Sequence, residues 1–126
     1  MLLTGNEFGA VSPLAPDLDG AGATVAIIDT GIKKNNCYLT GRIAGAMSKE
    51  GGDGNDATGH GSGMATTCCG SAAGGGVARG AKVYDIDVAS NTGAIADTVN
   101  LSDLLGTAKT AGASVVLLAF GARAKW

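Results

Sequence analysis

Val25-Ala26-Ile27-Ile28-Asp29-Thr30-Gly31-Ile32 and Gly59-His60-Gly61-Ser62-Gly63-Met64-Ala65 are the stretches whose reading decides the fold of this 126-residue chain. The first is a continuous apolar run that ends in an acid. A run without polar alternation suits a strand buried on both faces, as in a parallel sheet. Thr30-Gly31 turns the chain at the strand's C-terminal end. The second stretch sets a histidine between two glycines. It opens a predicted helix of small residues over Ser62–Ala73, ended by Gly74-Gly75-Gly76. Each stretch thus places one acid–base side chain at the edge of a regular element.

Outward from these segments the chain alternates. Residues 1–23 read as irregular, punctuated by Pro13, Pro16, Asp17, Asp19, Gly20 and Gly22, and residues 24–126 carry the predicted regular elements. Arg42–Met47 is a weaker second strand, and Ser48–Gly59 is a polar loop rich in Gly and Asp. Lys82–Val88 predicts a third strand, Asn91–Ala94 a loop and Ser114–Phe120 a fourth, strongly apolar strand. Asp97–Ala111 carries Leu101, Leu104, Leu105 and Ala108 at helical spacing, and Gly112 stops it. The order strand, strand, helix, strand, helix, strand predicts an α/β fold. It would be a parallel, Rossmann-like sheet of about four strands with right-handed crossovers, flanked by helices. Sites in such sheets lie at the C-terminal ends of strands, where Asp29 falls.

Composition narrows the function classes. Hydrophobic residues make up 45 % of the chain and aromatics only 4 %, so the core must be built from Ala, Val, Ile and Leu. The 22 glycines follow no period, which argues against collagen-like and repeat architectures. A net charge of −2 without a basic run gives a nucleic-acid partner no support. No apolar run approaches membrane-spanning length, so no membrane partner is expected. Met1-Leu2-Leu3-Thr4-Gly5-Asn6-Glu7 lacks the basic flank and apolar stretch of a signal peptide. A cytoplasmic location is therefore expected, or an extracellular one if the chain is a processed fragment. Cys37, Cys68 and Cys69 are expected as reduced thiols, because adjacent cysteines meet disulfide geometry poorly. A Cys37–Cys68 or Cys37–Cys69 bridge stays open.

The chemistry centres on Asp29 and His60. A carboxylate held at a strand end can accept a hydrogen bond from an imidazole N–H, fix its tautomer and stabilise the imidazolium. His60 is the single histidine, so any histidine-dependent step must use it. Its place at a helix start opposes imidazolium formation, and a nearby Asp29 offsets that. The roles read are His60 as general base and then acid, with Asp29 as its orienter. Alone, an acid before Thr-Gly is usually a turn former, and a histidine in a glycine loop is usually a surface residue. The joint pattern changes the odds.

That pattern resembles the subtilisin-like serine proteases, the subtilases. Ile27-Ile28-Asp29-Thr30-Gly31-Ile32 is similar to the family's Asp block, and Gly59-His60-Gly61-Ser62-Gly63-Met64-Ala65 to its His block, with Ser62 for Thr. Gly76-Val77-Ala78-Arg79-Gly80-Ala81-Lys82-Val83-Tyr84 resembles a third block, and Leu117-Leu118-Ala119-Phe120-Gly121 the substrate-binding strand. The resemblance runs from roughly Gly20 to Ala122 and implies the first half of a subtilisin-like fold. It also implies that Ala119, Phe120 and Gly121 line one side of an extended peptide or protein substrate and Asn91, Thr92 and Gly93 the other, the substrate adding as a strand.

The departures are specific. Gly63 replaces a second histidine, Thr66 a glycine and Arg79 a proline. The short segment between Cys69 and Val77 leaves no room for the calcium loop common there, so no metal or other cofactor is expected. Neither the oxyanion-hole Asn block nor the Gly-Thr-Ser-Met-Ala nucleophile block has a counterpart. Ser102 and Ser114 lie in or beside regular elements, in the wrong context for a nucleophile.

The resemblance therefore implies the Asp- and His-bearing portion of a serine endopeptidase, inactive alone and completed by a serine-bearing segment or second chain. Val115–Leu118 would be an apolar sheet edge, prone to pair with such a chain or to self-associate through residues 115–120. A second reading is a catalytically inactive, subtilase-derived structural or self-assembly module. A third is a retropepsin-like aspartic protease, since Ile28-Asp29-Thr30-Gly31 is also similar to that family's catalytic loop and such chains share a proton between paired carboxylates. Asp85-Ile86-Asp87-Val88 resembles the double-Asp motif of haloacid-dehalogenase-type phosphatases. Its companion blocks are missing, and the third strand accounts for it.

Overall fold

The structure is a computed structural model, and it describes residues 18–49, 54–95 and 99–121. Four parallel strands form one sheet: β1 (Thr24–Asp29), β2 (Ile43–Ser48), β3 (Lys82–Asp87) and β4 (Val115–Leu118). Their spatial order is β2-β3-β1-β4. The apolar run thus becomes an interior strand, flanked by β3 and β4, and residues Ala26, Ile27 and Ile28 are wholly buried. Asp29 pairs in register with Asp87, so two acids end adjacent strands.

Two helices lie on opposite faces of the sheet. The two-residue period of a strand divides its side chains between them. Val25, Ile27 and Val83 pack with Ile32, Leu39, Ala65 and Cys69 beneath helix α1 (His60–Cys69). Ala26, Ile28, Ile86 and Val88 pack with Leu104 and Ala108 of helix α2 (Leu101–Thr110). The parallel α/β sheet read from the sequence is the fold found.

The helix boundaries differ from the reading in instructive ways. α1 starts two residues earlier than Ser62, so His60 is its first residue. Gly59 adopts φ +85°, a left-handed conformation open to glycine, and redirects the chain into the helix. α1 ends at Cys69, not Ala73, because Gly70 leaves the helix after its N–H bonds Thr66 O at 2.8 Å. A short 3-10 turn at Ala72–Gly74 follows. α2 begins at Leu101, where the Asn100 side chain accepts from Ser102 N at 2.9 Å and caps it. Of the predicted helix start, Asp97 lies outside the described residues, as do residues 1–17 of the N-terminal segment.

The expected stripe on α2 is only half buried. Leu104 and Ala108 are 2 % and 1 % exposed, whereas Leu101 and Leu105 are 48 % and 46 % exposed. β4 is shorter than Ser114–Phe120, because its pairing with β1 ends at Ile28↔Leu118. All three cysteines are unbridged, and no helix among the described residues is long and apolar enough to cross a membrane.

Candidate active site

Asp29 ends β1 at the C-terminal edge of the sheet and is 1 % exposed. Its Oδ1 accepts the Thr30 N–H at 2.7 Å and faces His60 Nδ1 at 2.7 Å. That contact puts the neutral imidazole's proton on Nδ1 and leaves Nε2 as the free acceptor. The His60 side chain is 49 % exposed, so Nε2 is open to a reactant.

The glycines explain how two elements meet so closely. A Cβ on Gly61 would collide with the Gly31 carbonyl oxygen. Only glycine there lets the first turn of α1 rest on the turn after β1. Gly61 N–H also bonds Thr30 Oγ1 at 3.0 Å, tying the same two segments.

Asp56 completes this frame, and sequence reasoning missed it. Its Oδ1 accepts from Thr30 Oγ1 (2.8 Å), Thr58 N (3.1 Å), Thr58 Oγ1 (3.3 Å) and Gly59 N (2.8 Å), and its Oδ2 from Ser62 N (2.8 Å). The acid thus caps α1 and locks the Thr58-Gly59 turn that presents His60. In the sequence it sits in a polar loop, where an aspartate reads as solvated. The available signal was its place ahead of Thr58-Gly59, an Asx-turn pattern.

The electrostatics follow from these contacts. The Asp29 hydrogen bond and then its charge raise the His60 pKa above 6.5; partial burial opposes this and Asp56 adds to it. The acid beside it therefore outweighs the helix end. Burial alone would raise Asp56, but hydrogen bonds from Ser62, Thr30 and Gly59 together bring it below 3.8. Two further buried acids, Asp85 and Asp87, stand on β3 on the same face.

The residues read as substrate-binding fall in two places at the same end of the sheet. Asn91 and Thr92 are exposed in the loop after β3, and the Gly93 backbone lies against the Thr58 methyl, two residues before His60. Ala119, Phe120 and Gly121 continue from β4 alongside the strand that carries Asp29. Phe120 is partly buried and packs against the α2-side core. Among the described residues, no group of three or more His, Cys, Asp or Glu is placed to hold a metal ion.

The fold thus sets an Asp–His pair at the C-terminal edge of a parallel sheet. The Subtilase family model (peptidase S8) matches residues 20–125, and the chain belongs to that family. Among solved structures it is similar to a cold-adapted subtilisin-like serine proteinase, at 29 % identity and a TM-score of 0.50. That match covers 64 % of this chain and 29 % of the proteinase, so the chain spans under a third of that protein's length. No curated protein sequence matches it.

Proposed function

We propose that this chain supplies the Asp–His half of a subtilisin-type serine endopeptidase site, with Asp29 as orienter and His60 as general base and then acid. The 2.7 Å contact between Asp29 Oδ1 and His60 Nδ1, with the rest of the imidazole open, carries this reading. In the reaction, a serine hydroxyl attacks the peptide carbonyl and gives its proton to His60 Nε2. Asp29 stabilises the resulting imidazolium, and His60 then protonates the leaving amine. The serine comes from a segment or chain joined to this one, and without it Asp29 and His60 do not hydrolyse peptides. The substrate backbone lies between Asn91-Thr92-Gly93 and Ala119-Phe120-Gly121 as an added strand.

The test is to purify the protein with its bound polypeptides and treat it with a fluorophosphonate. A labelled serine in the assembly is expected, and His60→Ala should abolish labelling. An assembly with no labelled chain sinks the reading.

A second reading, a structural or self-assembly module of subtilase descent, is favoured by one observation. Val115, Val116 and Leu118 on the outer strand are 52 %, 36 % and 42 % exposed. A homo-oligomer without fluorophosphonate labelling would support it. The all-β aspartic-protease reading has no footing in a parallel α/β sheet whose candidate acid pairs with a histidine.

A further inference from the structure

Asp85 is buried to 2 % exposure, and the proposed reaction does not use it. It sits on β3 opposite Ile27, two residues before Asp87, which lies opposite Asp29. Strand spacing and rise put the Cα atoms of Asp85 and Asp29 on the order of 8 Å apart. Asp85 Oδ2 accepts the Ile32 N–H at 3.0 Å, which fastens the turn Thr30-Gly31-Ile32 that follows Asp29. Its Oδ1 is buried with no partner, and so is Asp29 Oδ2.

The contrast with Asp56 decides the state of this group. Asp56 gathers backbone and hydroxyl donors on both oxygens, enough to hold a buried carboxylate. Asp85 has one donor for two oxygens. The titratable groups acting on it are Asp87 from β3, Asp56 from the loop before α1 and Asp29 from β1, and His60 of α1 meets it through Asp29. The six residues of β2 contain none, Cys68 and Cys69 lie at the far end of α1, and Lys33, Lys34 and Lys49 are exposed. A charge on Asp85 would thus be a fourth buried carboxylate on one face.

We propose that Asp85 is a positioning residue for the Asp29–His60 pair: a neutral carboxylic acid under the pair that anchors the turn after Asp29 and whose ionisation alters the charge felt by His60. Burial first, with Asp87, Asp56 and Asp29 adding and the Ile32 N–H opposing, moves its pKa from 3.8 up to about 7. The proton therefore leaves in the range where His60 itself titrates, and the two equilibria are coupled. The neutral acid keeps Oδ2 as acceptor for Ile32 while sparing the face another buried charge. Its loss near neutrality favours the imidazolium and so lowers the fraction of His60 that is free to act as a base at a given pH.

The inference rests on Asp29 and His60 being the working pair, but its test reads protonation rather than hydrolysis. A failed peptidase assay leaves it standing, and a negative titration leaves the peptidase reading standing. The experiment is an NMR titration of the whole protein following the Asp85 carboxyl carbon and the His60 ring. The Asp85 carboxyl is expected to stay protonated through the range near 3.9 where an exposed aspartate ionises. It should then titrate near neutrality, with a second inflection in the His60 curve at the same pH. Asp85→Asn, a neutral mimic that keeps an acceptor for Ile32 N–H, should reduce the His60 curve to one step. An Asp85 carboxyl that ionises with the surface aspartates overturns the proposal, as does a His60 curve unchanged by D85N. If D85N does not fold, the carboxyl titration of the unaltered protein decides the matter.

Discussion

The two faces of the sheet are built from the same strands and do opposite things. On the α2 side, Ala26, Ile28, Ile86, Val88, Leu104 and Ala108 form a core with no buried charge. On the α1 side, β1 and β3 present Asp29, Asp85 and Asp87, joined by Asp56 from the loop. The tetrapeptide Asp85-Ile86-Asp87-Val88 makes the division plain, since a period of two sends its acids one way and its aliphatics the other. Both faces carry an apolar core, but the buried acids stand on the α1 side alone, so mutations should separate proton chemistry from packing.

The largest effect belongs to the charged face. In the peptidase proposed above, Asp29→Asn should lower kcat roughly 10⁴-fold, because the imidazole loses its orienting charge and tautomer. The His60 pKa should fall at the same time, since Asp29 is the main cause of its rise. Kinetics and a ring-proton titration check both. Labelling rates equal to the unaltered protein would show that the pair is not the one at work.

The apolar face should give the converse result. Ile28→Ala removes a wholly buried side chain and should cost about 2–5 kcal/mol in denaturant unfolding. The His60 titration of the remaining folded protein should not move. A shifted titration would mean that the faces are mechanically coupled through β1. Between these extremes lies Asp56→Ala, which strands Thr30, Thr58, Gly59 and Ser62 donors together. A loss of about 2–3 kcal/mol is expected, with faster hydrogen exchange at the Gly59 and Ser62 amides.

Most of the apolar face was legible in the sequence, and only part of the charged one was. The unbroken run Val25–Ile28 announces a buried parallel strand, and Gly59-His60-Gly61 announces a crowded helix start, since both features are local. Asp56 was missed because an aspartate in a polar, glycine-rich loop reads as solvated: its contacts to Thr58, Gly59 and Ser62 are local, but the one to Thr30 comes from the turn after β1, which no spacing reveals. Leu101 and Leu105 were overread because helical periodicity gives the direction of a stripe, whereas its width depends on how much sheet lies beneath it.

Acidity offers a subtler way to compare the groups. A folded pKa above the unfolded value stabilises the fold at low pH and ceases to do so as pH rises. For Asp85 that loss runs from 3.8 to about 7, and for His60 it begins above 6.5. Asp56 has the opposite sign, contributing fully above 3.8 and losing its contribution as pH falls through its lowered value. With these groups, thermal stability should peak near pH 3.8, where Asp56 contributes fully and Asp85 has only begun to lose its contribution, and should fall further once His60 adds its loss above 6.5. Asp85→Asn should flatten the decline toward neutral pH, whereas Ile28→Ala should shift the whole profile down without reshaping it.

The smallest effect on stability, and the most telling for the second functional reading, is expected at the sheet's outer strand. Val116 pairs with Ala26 of the α2-side core yet is itself 36 % exposed, beside Val115 at 52 % and Leu118 at 42 %. Replacing a half-exposed edge side chain by lysine leaves the core atoms in place. Val116→Lys should change the unfolding free energy by no more than about 0.5 kcal/mol. Its influence on association should be far larger, because a charge pointing out of an edge strand blocks a second strand from docking. If the chain self-assembles through residues 115–120, sedimentation should show the unaltered protein as an oligomer and V116K as a monomer of equal stability. An oligomer that survives the lysine would place the contact away from β4, leaving the exposed Leu101 and Leu105 of α2 as the apolar surface to mutate next.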